Sequence, residues 1–212
     1  MNLGAYKTRE ELTNLFEEKR LLNRGVEIGS HEGFFAKSIL EKWSGKLYLI
    51  DIWNEISEKE YNYHQNKNNY HNIINKCVDN INNHQDRCFL IRATSLNAFD
   101  LFNDESLDFV YIDANHQYDF IKQDISLWYP KVRKGGVVAG HDYLKIDWYT
   151  DPNFHENKKD KHIWASAIEN NNEFPHYAGL FGVNPAVDEF CSEINTKFYT
   201  TEEWFGSWYF IK

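Results

Sequence analysis

Val26-Glu27-Ile28-Gly29-Ser30-His31-Glu32-Gly33-Phe34 is the stretch on which the fold turns. A short apolar strand ends in glycines, which let the backbone turn tightly and approach a ligand. The amide-rich N-terminus of a helix follows. This is not the GxGxxG dinucleotide fingerprint, because Gly29 and Gly33 stand at i and i+4 with an acid, Glu27, at i−2. A plain tight turn is the alternative reading of the same residues.

Working outward, strands and helices alternate. Before the glycine turn, Thr8 to Leu22 has helical spacing of Leu12, Leu15, Phe16 and Leu21, with Thr8 as N-cap. After it, Phe34 to Trp43 reads as a helix and Lys46 to Ile52 as a strand. Residues 54–70 are polar and weakly patterned and read as a mobile loop. Tyr70 to Asn82 is a helix, Phe89 to Arg92 a strand, and Leu96 to Phe102 a helix. Leu107 to Ile112 is a buried strand, Asp119 to Trp128 a helix, and Gly136 to Ala139 a strand entered through Lys134-Gly135. Pro185 to Asn195 is a helix with Pro in its first turn. Lys197 to Thr200 and Ser207 to Ile211 close the chain as a hairpin at the sheet edge. The pattern predicts an α/β, doubly wound, seven-stranded and mostly parallel sheet with an antiparallel C-terminal hairpin strand. Residues 1–212 read as one domain, and 144–182 as a long insertion, the expected acceptor-site lid.

Composition narrows the function classes. A chain of 212 residues that is 42% hydrophobic can build a real core. The net charge of −9 is the wrong sign for a nucleic-acid surface. Apolar runs fall well short of the ~20 residues that cross a bilayer, so no membrane partner is expected. The N-terminal stretch lacks a signal-peptide pattern. Cys77, Cys88 and Cys191 form no CxxC pair and read as reduced, mostly buried thiols, which points to the cytoplasm.

Three strand ends carry chemistry. Asp51 ends the second strand, where a carboxylate grips ribose hydroxyls at nucleotide sites or, alternatively, caps a loop. Asp113 and His116 leave the buried strand Leu107 to Ile112, and His141 and Asp142 follow Gly140. All lie on the carboxyl side of a parallel sheet, where ligands bind. Hard oxygen donors with one imidazole suit Mg²⁺ or Mn²⁺. The competing reading makes the two acids helix caps and His141 a structural side chain.

The runs EIGSHEGFF, LYLIDIW, DFVYIDANHQYDFIKQDI and KGGVVAGHDY together resemble the class I S-adenosylmethionine-dependent methyltransferases, which have a Rossmann-like fold. The closest resemblance is to the metal-assisted small-molecule O-methyltransferases, both catechol-type and sugar-modifying macrocin-type. It covers residues 24–143 firmly and the terminal SWYFIK strand more loosely. The resemblance implies S-adenosyl-L-methionine as cofactor. It places Glu27, Gly29, Ser30 and Gly33 around the methionine, Asp51 on the ribose, and Ile52, Trp53, Thr94 and Ser95 about the adenine. It implies a divalent cation on Asp113, His141 and Asp142, with Asp113 also lining the cofactor and catalytic site, and His116 as catalytic base. Two positions depart from the catechol-type pattern: that branch has Lys where His116 stands, and a carboxylate or amide where His141 stands.

The function expected is methyl transfer to a hydroxyl of a small molecule, with a sugar or glycan favoured by the HDY ending and the aromatic insertion. Tyr143, Trp148, Tyr149 and Trp164 are acceptor-lining candidates, or simply loop anchors. His31 reads as a local hydrogen-bonding residue. A homo-oligomer and a domain of a larger glycan-modifying enzyme are both compatible with the chain. The alternatives are a methyltransferase-fold binding module without activity, and a nicotinamide-linked oxidoreductase, which the glycine spacing disfavours.

Overall fold

The computed structural model describes residues 6–54, 70–144, 163–164 and 180–212. Helices α1 (Arg9–Leu12) and α2 (Asn14–Glu18) precede β1 (Arg24–Ile28), α3 (Phe34–Lys42) and β2 (Lys46–Asp51). Then come α4 (Tyr70–Ile81), β3 (Cys88–Arg92), α5 (Ser95–Ala98), β4 (Leu107–Ile112), α6 (Tyr118–Trp128) and β5 (Val132–Leu144). A two-residue pair, β6 (Ile163–Trp164) and β7 (Leu180–Phe181), is followed by α7 (Val183–Glu193), β8 (Tyr199–Thr200) and β9 (Phe205–Ile211).

The main sheet has seven strands in the order β3-β2-β1-β4-β5-β9-β8. All neighbours pair in parallel except β9, which runs against both β5 and β8. Period-two alternation sends each strand's side chains to two cores. Leu49, Phe109, Tyr111 and Ala139 pack beneath α1 to α4. Val26, Ile28, Val110, Ile112 and Val138 pack beneath α5 to α7. Strand β4 is buried along its whole length, and its one acid, Asp108, is paired there with Arg133 at 2.6 Å. The strand order reverses direction between β1 and β4, which is where sheets of this kind open a crevice.

The differences from the expected elements have local causes. The N-terminal helix breaks at Thr13, whose hydroxyl donates back to the Glu10 carbonyl at 2.7 Å. Thr8 caps α1 as predicted, accepting from the Glu11 amide. The β5 strand begins before the glycines and continues through His141 and Asp142, because β9 supplies an antiparallel partner as far as Leu144. The expected helix at Leu96 to Phe102 splits into α5 and a single 3₁₀ turn over 99–101. The expected loop at 54–70 and insertion at 144–182 lie largely outside the described residues, as do Trp148, Tyr149 and the side chain of Trp164.

The stems of the insertion are described, and they are fastened together. The Asn184 amide accepts from Leu144 N and donates to Leu144 O, both at 2.9 Å and buried. Tyr143 donates its hydroxyl to Asp188 at 2.8 Å. Gly182 N reaches the carbonyl of His116 at 2.7 Å. All three cysteines are free and buried, as expected. Among the described residues no helix is long and apolar enough to cross a membrane.

A buried acid ties α6 to α5. Ser95 Oγ accepts from Trp128 Nε1 at 2.8 Å and bonds to Asp124, which is 5% exposed. Burial pushes the Asp124 carboxyl up to about 6, against the opposing bond from Ser95. The folded state therefore binds the proton more tightly than the unfolded chain, and stability falls as pH rises through the window between roughly 4 and 6. Asp124→Asn removes that dependence. Urea denaturation is expected to show the variant more stable than the parent at pH 7, by up to about 3 kcal/mol, with the gap closing below pH 4.

Candidate active site

Gly29 follows β1 in a left-handed conformation, φ +86°, and its amide donates to the Ile50 carbonyl at 2.8 Å. Asp113 N donates to Ile28 O at 2.8 Å, so the carboxyl ends of β1 and β4 are pinned together. A Cβ at Gly29 would overlap the backbone carbonyl of Asp113. Gly33, φ +76°, begins α3, and a Cβ there would crowd Cys77 Sγ at 2.9 Å. Both glycines are thus required by conformation and by close approach.

Asp51, at the end of β2, uses both oxygens to order the turns around it. His31 N donates to Oδ2 and Trp53 N to Oδ1, each at 2.8 Å. The Trp53 indole donates to His31 O at 2.9 Å and is only 3% exposed, so its ring belongs to the core. Arg92 binds the carbonyls of Ile52 and Trp53 at 3.1 and 3.0 Å and holds this loop shut. Ile52 is half-buried beside it. Thr94 is exposed and caps α5 by accepting from Asn97 N, while the Ser95 hydroxyl turns inward to Trp128 and Asp124.

Glu27 and Ser30 are buried, at 2% and 4% exposure. Glu27 Oε2 has no hydrogen-bond partner. Burial raises the Glu27 carboxyl to about 8, with the charge of Arg9 opposing the rise. Arg9, which no motif marked, reaches across the site from α1. Its Nη1 donates to Asp113 Oδ2 at 3.3 Å, and its guanidinium lies 4.3 Å from the Phe35 ring centroid.

The remaining predicted residues converge. His116 Nε2 lies 2.8 Å from Asp142 Oδ2 and 3.8 Å from Asp113 Oδ1. His141 Nδ1 lies 3.3 Å from Asp142 Oδ1 and 3.9 Å from Asp113 Oδ1. Asp142 gets there through an irregularity: its φ is +61°, and the β5–β9 register shifts between Gly140 and Tyr143. Such bulges turn a side chain out of the pleat, as commonly seen beside active sites. Burial would raise both acids, but nearby positive charge outweighs it. His116 and His141 hold Asp142 well below the ordinary carboxylate range, and His141, His116 and Arg9 lower Asp113. Burial disfavours the charged form of His141, yet Asp142 and Asp113 raise its pKa on balance.

One atom each from Asp113, His141 and Asp142 lies within 4.8 Å of the others, a spacing that contraction around a small cation would complete. The donor set of two carboxylates and an imidazole fits Mg²⁺ or Mn²⁺. For the nucleotide cofactor, the fit rests on the glycine cradle and on the orphaned oxygen of Glu27, which calls for a donor or a cation.

A doubly wound sheet with its reversed last strand, a glycine turn at the switch point and acids at three strand ends defines the class I methyltransferase type of fold. The methyltransferase-domain family matches residues 26–143, more than half of the chain, and the chain belongs to that family. A protein of Acanthamoeba polyphaga mimivirus is 31% identical over 142 residues, covering 66% of this chain and 59% of that protein. A protein of Sinorhizobium fredii is 29% identical over 126 residues, covering 56% of this chain and 13% of that much longer one. The chain thus spans only part of the length of these curated relatives.

Among solved structures, a candidate caffeoyl-CoA O-methyltransferase from Staphylococcus aureus superposes with a TM-score of 0.65 at 14% identity. The match covers 96% of this chain and 82% of that one. The O-methyltransferase TomG from Streptomyces achromogenes, solved with S-adenosylmethionine, gives 0.59 at 12% identity over 96% and 79%. At these identities the likeness establishes the fold.

Gly29→Ala tests the pinch between β1 and β4. The left-handed conformation alone costs about 1–2 kcal/mol for a side chain, and displacing the Asp113 carbonyl adds to it. Thermal denaturation is expected to show a loss of at least about 2 kcal/mol, whereas Ser30→Ala, which keeps the backbone path, stays within about 1 kcal/mol.

Proposed function

We propose that the chain transfers a methyl group from S-adenosyl-L-methionine to a hydroxyl of a small-molecule acceptor, with a sugar or glycan the favoured class. The observation that carries the reading is the convergence of His116, Asp113, His141 and Asp142 at the switch point, beside the glycine turn. The aromatic insertion supports the sugar preference, and its fastened stems support a lid over the acceptor side. The free thiols support a reducing, cytoplasmic setting. The greater length of the curated relatives supports a catalytic unit that also occurs within larger proteins.

S-adenosyl-L-methionine, when bound, supplies a methyl on a sulfonium leaving group. The Glu27, Gly29, Ser30 and Gly33 turn orients its amino-acid end, Asp51 faces the ribose, and the loops at Ile52–Trp53 and Thr94–Ser95 border the adenine. His116 is the base. His116 Nε2 lies 2.8 Å from Asp142, which stabilises the imidazolium formed when the ring takes the acceptor hydroxyl's proton. Asp113, His141 and Asp142 would hold a divalent cation, whose Lewis acidity makes that hydroxyl easier to deprotonate. The sheet edge and insertion stems keep the reacting groups aligned and water excluded, which is where most of the rate gain in a displacement of this kind arises.

His116→Ala is expected to reduce methyl transfer about 10²–10⁴-fold with labelled cofactor, while calorimetry shows S-adenosylhomocysteine affinity within about twofold of the parent. Equal loss of both would remove His116 from the role of base. EDTA is expected to abolish transfer and Mn²⁺ to restore it; full activity in EDTA would dismiss the cation.

A further inference from the structure

His116 stands in the short loop between β4 and α6, where no regular element holds it. A base must be placed to within a fraction of an ångström, since a misplacement of about 1 Å can cost about 10²-fold in rate. Upstream, Asp113 N is pinned to Ile28 O, and just downstream Asn115 Oδ1 accepts from Gln117 N at 2.9 Å. The carbonyl of His116 itself is held from much further along the chain, by Gly182 N at 2.7 Å.

Gly182 is buried and stands immediately before α7. A Cβ there would lie 2.3 Å from Tyr118 N and 2.4 Å from its Cα and Cβ. The φ of Gly182, −130°, is outside the left-handed region, so close approach and not backbone conformation calls for glycine. Any side chain at this position must push back the backbone two residues after His116 or let go of the His116 carbonyl.

The same helix also holds the partner of His116. Tyr143, next to Asp142, donates its hydroxyl to Asp188 at 2.8 Å, and Asn184 bonds both backbone groups of Leu144. Tyr118 donates to Glu189 at 2.5 Å. The start of α7 therefore grips the β4–α6 loop and the end of β5 together. The two side chains those segments carry, His116 and Asp142, meet at 2.8 Å. Apolar packing of α7 on α6 would not need these bonds. They go to the peptide of His116 and to the two residues that follow Asp142.

We propose that the start of α7 is a clamp that sets His116 against Asp142, with Gly182 and Asp188 as its positioning residues. The inference rests on the reading of His116 as the base and adds what holds that base in place. The placement then depends on the end of the long insertion as much as on the sheet.

NMR of the full chain in EDTA, with isotope-labelled imidazole nitrogens, reads the placement without an acceptor. The ring signals that vanish in His116→Ala assign that residue. The parent is expected to show the His116 nitrogens displaced from free-imidazole values by the contact with Asp142. Gly182→Ala is expected to return them toward those values, while the rings of His31, His71 and His84 keep theirs. Calorimetry on this variant is expected to give an S-adenosylhomocysteine affinity within about twofold of the parent. His116 signals unchanged in Gly182→Ala would overturn the clamp, as would free-imidazole values in the parent. Asp188→Ala removes a half-buried side chain from an intact helix and gives a second reading without a steric clash. A smaller displacement confined to His116 and His141, the rings that touch Asp142, upholds the clamp; no change, or an equal change in every ring, overturns it. If these shifts are seen but His116→Ala leaves methyl transfer intact, the base reading falls and the clamp stands as geometry. If His116→Ala abolishes transfer and the shifts are absent, the clamp alone falls.

Discussion

The close approach of two backbones, Gly29 at the end of β1 and Asp113 at the end of β4, is the constraint from which the rest follows. Side chains of a parallel pair stand above and below the sheet, but the turn that leaves β1 passes so close to the end of β4 that a side chain there would collide with it. Here Gly29 has none to interpose, and the Asp113 carbonyl occupies the space a Cβ would need. Once the strands meet, everything carried just beyond them is delivered to one place. Asp113 and His116 come from β4, the turn to α3 from β1, and Asp51 from β2 on one side. The β5 bulge brings His141 and Asp142 in from the other.

Bringing so many ionisable groups together in a partly dry crevice is costly unless the charges compensate. They do so unevenly. Asp113 and Asp142 are surrounded by His116, His141 and Arg9 and stay ionised, while burial pushes Glu27 toward its neutral form. One crevice therefore holds carboxylates in two different states.

Much of this was legible in the residues because the signals were local. The mostly apolar, β-branched and aromatic run Leu107–Ile112 reads as a buried strand, and the spacing of Gly29 and Gly33 announced a turn into a helix. The acids and histidines at strand ends were legible for the same reason. What escaped depended on distant partners. Arg9 looks like any surface residue of a short helix until Asp113, far along the chain, comes beside it. His141 and Asp142 read as post-strand residues, since nothing nearby reveals that β9 prolongs β5 past them. Asp51 supported both of its readings, and the geometry shows why. The same carboxylate accepts two loop amides, one on each oxygen, and still has lone pairs to spare. Thr13 broke a helix through its own hydroxyl, a choice that hydrophobic periodicity does not register.

The buried amide pair between Asn184 and Leu144 has a consequence for how this fold can vary. It brings the two ends of the 145–181 segment to hydrogen-bonding distance, so the sheet and the cluster at its edge are closed off independently of what the segment contains. The entropy of closing a loop grows only with the logarithm of its length, about 0.6 kcal/mol for each doubling. A segment anchored in this way can be lengthened, shortened or rewritten at little cost to the scaffold. The stem pair thus acts as a socket that fixes the two ends of the segment while the sheet beneath stays as it is.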